Sequence, residues 1–153
     1  PPSLGASHET KPPNLQGLRK QMKEMQETIQ FLLKDILDFH EEMENTFVME
    51  KGIHDAGLLS SAVHTPFQTF DGHDLYPDPI AKAARLCFGL AKDHPFRDGN
   101  KRTALHSMLV FLAVNDIEID YTPQEIEDII LAVADGRMDA EALAAWLKAR
   151  QKY

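Results

Sequence analysis

The chain predicts an all-α fold, a helical domain preceded by a long amino-terminal heptad helix, and three observations carry that reading. Apolar residues step by three and four from Leu15 to Met43. Two further helix-period segments, one from Ile80 to Ala91 and one from Leu105 to Leu112, flank a single short polar loop. Thr122-Pro123-Gln124-Glu125 spells a helix start. At 153 residues, 43% of them hydrophobic, the chain suits one domain with a single core. Its net charge of -8 argues against nonspecific binding to nucleic acid or to a membrane surface, since either would want a basic face.

The first 14 residues contain Pro1, Pro2, Pro12 and Pro13 and almost nothing apolar, so a disordered linker or tail is expected there. With no methionine at its start, the sequence is expected to be the carboxy-terminal part of a longer protein or to carry an added remnant. From Leu15 the stripe runs Leu18, Met22, Met25, Ile29, Leu32, Ile36, Phe39 and Met43, a helix of about 43 Å at roughly 1.5 Å per residue. A two-residue seam suits a partner helix, whereas a globular core requires a broad face, and Leu33 and Leu37 widen the stripe in its second half. Residues 15–30 are therefore expected to project, for self-association or for a partner helix, with a helix folded back on the domain as the alternative, and residues 31–153 to form the domain.

Lys51-Gly52 marks a turn, and Leu58, Leu59, Ala62 and Val63 mark a short helix that ends before Pro66. In Phe67 to Pro77, aromatic and β-prone residues flank Asp71-Gly72, a strong hairpin signal, although the residues alone favour an ordinary surface loop. Pro79 to Lys92 and Lys101 to Val114 are the helices on either side of the polar loop. Ile117, Ile119 and Tyr121 alternate as an extended link. Thr122 and Glu125 form a capping box with Pro123 at the first helical position, and that helix ends near Asp135-Gly136. Asp139 can cap the last helix, which buries Leu143, Trp146 and Leu147.

The polar loop, His94-Pro-Phe-Arg-Asp-Gly-Asn-Lys-Arg-Thr103, reads as an anion site. Gly99 allows close backbone approach, Asn100 can cap the second helix, and that helix's free N–H groups and dipole favour negative charge. Lys92, Arg97, Lys101 and Arg102 place four cations near it in an acidic chain. Asp98 is the carboxylate that a hydrated Mg²⁺ needs beside phosphates. The imidazole of His94 can serve as a general base on a hydroxyl. A capped helix start with a solvated basic end and a surface histidine is the plain alternative. The Walker A spacing is absent. His8, His40, His54, His64 and His73 show no metal-ligand spacing and have no cysteine partners, so no structural transition-metal site is expected. Cys87, the single cysteine, lies on an apolar helix face. With no membrane-length apolar run and no signal-peptide pattern, it points to a reducing, cytoplasmic setting.

At these residues the chain resembles the Fic/Doc superfamily. The loop of its main branch reads His-Pro-Phe-x-Asp/Glu-Gly-Asn-Gly-Arg-x-x-Arg, and in its Doc (death-on-curing) branch the tail becomes Asn-Lys-Arg-Thr. Asn100-Lys101-Arg102-Thr103 is similar to the Doc form, and the likeness runs from about Asp38 to Arg150, through Gly57-Leu58-Leu59, Pro66-Phe67 and Asp74-Leu75-Tyr76-Pro77.

The resemblance implies a Fic/Doc-type helical bundle with a small β-hairpin flap (Thr69, Phe70, Asp71, Gly72, His73) that docks a target chain in extended form. It implies a toxin with ATP and Mg²⁺ as cofactors and a protein substrate, an elongation factor being the Doc example. His94, Lys101 and Arg102 would be catalytic. Gly99, Asn100, Lys101 and Arg102 would bind phosphate, and Asp98 would hold the metal. Lys101 is tied to phosphate transfer, whereas Gly99 matches the AMP-transferring main branch, since Doc has Ala there. A catalytically idle binding module acting through its heptad helix is the third reading. The family's inhibitory pattern, Ser/Thr-x-x-x-Glu-Gly/Asn, has its nearest match at Thr46 to Lys51 and fails at the last position. The final motif Arg falls on Leu105 here, one residue before His106, so the receiving guanidinium is missing. Silencing by a separate antitoxin is thus expected.

Overall fold

The computed structural model describes residues 14–153, so the proline-rich start of the chain lies outside the described residues except for Asn14. The first helix, α1 (Leu15–Thr46), has 32 residues, about 48 Å at roughly 1.5 Å per residue. Asn14 caps it, its side chain accepting the Gly17 N–H at 3.1 Å. Burial starts late: Ile29, Leu32, Ile36, His40 and Met43 are buried, Met25 is half-buried, and Leu15, Leu18 and Met22 are exposed. The buried residues share one face, which packs on the domain.

Asp55 caps α2 (Ala56–His64) by accepting the Leu58 N–H, and Pro66 then turns the chain through a single 3₁₀ turn, Thr65–Phe67. The hairpin reading of the next segment is correct. Strand β1 (Thr69–Phe70) pairs antiparallel with β2 (His73–Asp74), Thr69 opposite Asp74 and Phe70 opposite His73. Asp71 and Gly72 have φ of 52° and 78°, the two left-handed residues that a tight hairpin turn of the favoured twist requires. Lys82 anchors the stem, 3.1 Å from Asp74 and hydrogen-bonded to the Tyr76 carbonyl.

Two central helices form the core. Helix α3 (Pro79–Asp93) starts at a capping Asp78 and buries Ile80, Ala83, Ala84, Leu86, Cys87, Leu90 and Ala91. Helix α4 (Asn100–Val114) buries Thr103, Ala104, Ser107, Met108, Phe111 and Leu112. The small residues allow close packing, and the two buried hydroxyls are satisfied one turn back, Thr103 to the Gly99 carbonyl at 2.8 Å and Ser107 to the Thr103 carbonyl at 2.7 Å. Burial pushes the Cys87 thiol up to about 12, which keeps it inert. Helices α5 (Pro123–Ala134) and α6 (Ala140–Ala149) complete the bundle, with Ile126, Ile130, Val133, Leu143 and Leu147 inward. Trp146 is half-buried under Arg150, 5.0 Å from its ring centre.

The capping box at Thr122 is complete, and Glu125 also meets Arg150 at 2.5 Å. The Arg150 hydrogen bond, helped by the Thr122 N–H, holds the Glu125 carboxyl down to about 2 from 4.5. A depressed folded-state value gives stability that is complete above 4.5 and lost as pH falls toward 2. We therefore expect Glu125→Gln to melt below the wild type at neutral pH, with the gap closing across that window. A gap unchanged from pH 7 to pH 2 in thermal melts would remove Glu125 from acid stability.

Candidate active site

Helices α3 and α4 present the polar loop at one end of the bundle, and three elements hold it. Asn100 clamps it from within: its Oδ1 accepts the Phe96 N–H and its Nδ2 donates to the Phe96 carbonyl, both at 2.9 Å. The segment after α1 runs alongside, with Ile53 bridging Phe96 antiparallel. There the Arg97 N–H reaches the Gly52 carbonyl at 3.1 Å, and the His54 and Asp55 N–H groups share the Pro95 carbonyl at 2.8 and 3.0 Å. From beneath, the His40 ring stacks on Phe96 with centroids 3.8 Å apart and planes 11° apart. Its Nε2 lies 2.8 Å from the Asp98 carbonyl. Phe96, 2% exposed, is the anchor that this arrangement buries.

On this frame His94 stands exposed at the carboxy-terminal cap of α3 with φ 52° and ψ 60°. A left-handed non-glycine residue costs on the order of 1 kcal/mol or more and persists where the surroundings over-determine it. Here the clamp and the bridge fix the chain immediately after it. Gly99 is the cap of α4 at φ 79°, and no side chain caps that helix. Its first-turn amides (Asn100, Lys101, Arg102) therefore have no partner within the helix and point outward with the positive end of the dipole. Asn100 thus does not cap α4, as its sequence position had suggested. It is the first helical residue, and its side chain is committed to the clamp, leaving its backbone N–H for an anion.

The helix end opens on a cleft of about 360 Å³ lined by Met43, Phe47, Val48, Met49, Asp98, Gly99, Asn100, Lys101 and Arg102. The Arg102 guanidinium lies 4.6 Å over the Phe47 ring, which orients it along the wall. A Cβ on Gly99 would come within 2.9 Å of the Met43 methyl and 3.1 Å of the Met49 methyl, so the glycine keeps the floor low. Of the four cations expected, Lys101 and Arg102 line the cleft. Lys92 points elsewhere, its Nζ 2.9 Å from where a Gly136 Cβ would sit, beside Asp135. Arg97 lies against Gly52.

Asp98 faces the cleft with both carboxylate oxygens fixed, Oδ1 by the Gly99 N–H at 2.8 Å and Oδ2 by the Glu50 N–H at 3.2 Å. Each oxygen retains a second acceptor site. Among the described residues no group of three or more acidic, His or Cys side chains could hold a metal by itself. A single oriented carboxylate beside an uncapped helix end suits Mg²⁺, an ion that takes one or two carboxylates and completes its shell with phosphates and water.

His106 lies one turn beyond Arg102. Its Nε2 is 2.9 Å from Asp35 and its ring stacks on Phe39 with centroids 3.9 Å apart. The Thr46-to-Lys51 segment is not helical, because α1 ends at Thr46 and Phe47 continues it extended, so Glu50 meets the loop through its backbone amide. The hairpin residues Thr69 to His73 are exposed, and among the described residues no hydrogen bond links them to the loop. His40 is the residue that sequence reasoning passed over. Its signal was its place at helical spacing between Ile36 and Met43 on the buried stripe.

A family model described as "Fic/DOC family" matches residues 10–112, which takes in α1, the hairpin, the loop and most of α4. Toxin Doc of Mycolicibacterium smegmatis is 39% identical to this chain over 100 residues, covering 64% of this chain and 77% of that protein. Protein kinase doc of Escherichia phage P1 is 30% identical over 97 residues, covering 63% and 75%. With the match spanning well over half of the sequence and including the whole of the clamped loop, the chain belongs to the Fic/DOC family.

Proposed function

We propose that this protein is a Doc-like toxin that transfers the terminal phosphate of ATP to a hydroxyl of a target protein, an elongation factor being the candidate class. The observation that carries the reading is the uncapped amino end of α4, flanked by Lys101 and Arg102, beside an exposed histidine at the same loop. The first-turn amides would bind phosphate oxygens, and the two cations would neutralise the charge that develops in transfer. Asp98 would hold Mg²⁺, which when bound offsets the charge on the phosphate oxygens. The His94 imidazole would take the hydroxyl proton as the oxygen bonds to the phosphorus and ADP leaves.

AMP transfer is the second reading, favoured by Gly99 at φ 79°, the residue of the main branch. The two readings turn on Lys101, whose bulk and charge at the helix end would dictate how the triphosphate lies. Lys101→Gly should lose phosphate transfer or shift the product toward AMP. Intact-protein mass of a bacterial lysate treated with ATP, Mg²⁺ and each form reads the two products, and undiminished phosphate transfer by Lys101→Gly would break the link to this side chain.

No inhibitory helix forms at Thr46 to Lys51, and Leu105, at the place of the final motif Arg, offers no charge to receive a glutamate. Silencing by a separate antitoxin chain follows as part of the same proposal. Self-association through residues 15–30 belongs to it too, given the exposed Leu15, Leu18 and Met22. Among the described residues no helix is long and apolar enough to cross a membrane.

A further inference from the structure

The peptide unit joining Asp98 to Gly99 controls the orientation of the loop carboxylate. Its N–H donates to Asp98 Oδ1 at 2.8 Å, and its carbonyl lies 2.8 Å from His40 Nε2. A carbonyl oxygen only accepts, so Nε2 carries the hydrogen in this bond. The other ring nitrogen is 3.6 Å from Glu44, too far for a hydrogen bond. His40 is 3% exposed and its ring is pinned by the stack on Phe96, so the donor sits in one place.

That unit is also one that can turn over. A peptide flip changes ψ of the residue before it and φ of the residue after it, and the residue after it is Gly99, which tolerates either sign of φ. Flipping would point the carbonyl into the cleft and withdraw the N–H from the carboxylate. Asp98 would then keep only the longer Glu50 contact at 3.2 Å.

We propose that His40 is a positioning residue, a buried lock that holds the 98–99 peptide in the orientation that aims the Asp98 carboxylate and leaves the cleft floor free for phosphate. It acts through the backbone of Asp98 and touches no reacting atom. Its effect on transfer rests on the functional reading above; its effect on the peptide does not.

Three variants separate the hydrogen bond from the bulk. His40→Gln can restore the donor through its amide nitrogen, His40→Met matches Gln in size without a donor, and His40→Phe keeps the stack without a donor. In folded protein we expect the two donorless variants to exchange the Gly99 amide at least about 10-fold faster than the wild type, by nuclear magnetic resonance. Their kcat should fall roughly 10- to 100-fold, as for other groups that orient a metal ligand, with KM for ATP changed by less than about 3-fold. His40→Gln should recover most of both. Equal Gly99 exchange in Gln, Met and wild type would overturn the lock, as would a Gln variant no faster in turnover than Met. If the Phe variant does not fold, the Gln and Met pair carries the comparison alone. A wild type that transfers nothing would sink the functional reading and leave the exchange comparison to decide the lock.

Discussion

His94→Ala should abolish transfer while leaving the fold intact. The side chain is exposed, and the loop is held by groups other than its ring, namely the Asn100 clamp, the Ile53 bridge and the Phe96 anchor. Losing the imidazole therefore removes no packing. What it removes is the acceptor for the hydroxyl proton, and a positioned base contributes on the order of 10²- to 10⁴-fold, roughly 3 to 5 kcal/mol of barrier. Alanine at a left-handed position keeps the backbone cost that histidine already bears. Initial rates and thermal melts measured together check this. A variant that melts like the wild type and modifies its target at an undiminished rate would exclude His94 from the chemistry.

Asn100→Ala should instead act through the fold. It leaves the Phe96 N–H and carbonyl without partners in a buried setting, and an orphaned buried group costs about 1–3 kcal/mol, so the pair together is worth roughly 2–5 kcal/mol. Phe96 would loosen from His40, and the segment at Ile53 would lose its bridge partner. We expect a large fall in midpoint in urea unfolding and loss of activity with it. Asn100→Asp, which keeps the acceptor and forfeits the donor, should fall between the two. An Asn100→Ala midpoint within error of the wild type would show that the clamp carries no stability.

What the sequence made legible was local. The capping box at Thr122, the cap at Asp139 and the turn at Asp71-Gly72 each declare themselves within four residues, and the structure forms all three. The motif loop was legible for the same reason. His40 was not, because its partner lies 58 residues away and its ring reads, in a string of letters, as one more scattered histidine. The Asn100 side chain has a choice between the helix ahead and the loop behind, and only the folded loop shows that Phe96 takes it. The direction of Lys92 depends on how α3 meets the end of α5, where Gly136 and Asp135 wait, and no spacing rule predicts that. The cap at Asp55 was hidden because the residues before α2 have no helical pattern of their own.

The central claim, phosphate transfer from ATP by the α4 amino end, is tested most directly with two labelled nucleotides. Wild-type protein is incubated with Mg²⁺ and a bacterial lysate, once with ATP labelled at the γ-phosphate and once with ATP labelled at the α-phosphate. The account predicts protein-bound label from the γ-labelled nucleotide alone, and none with His94→Ala. Label arriving from the α position would show AMP transfer instead, and label from neither position would contradict the enzymatic reading altogether.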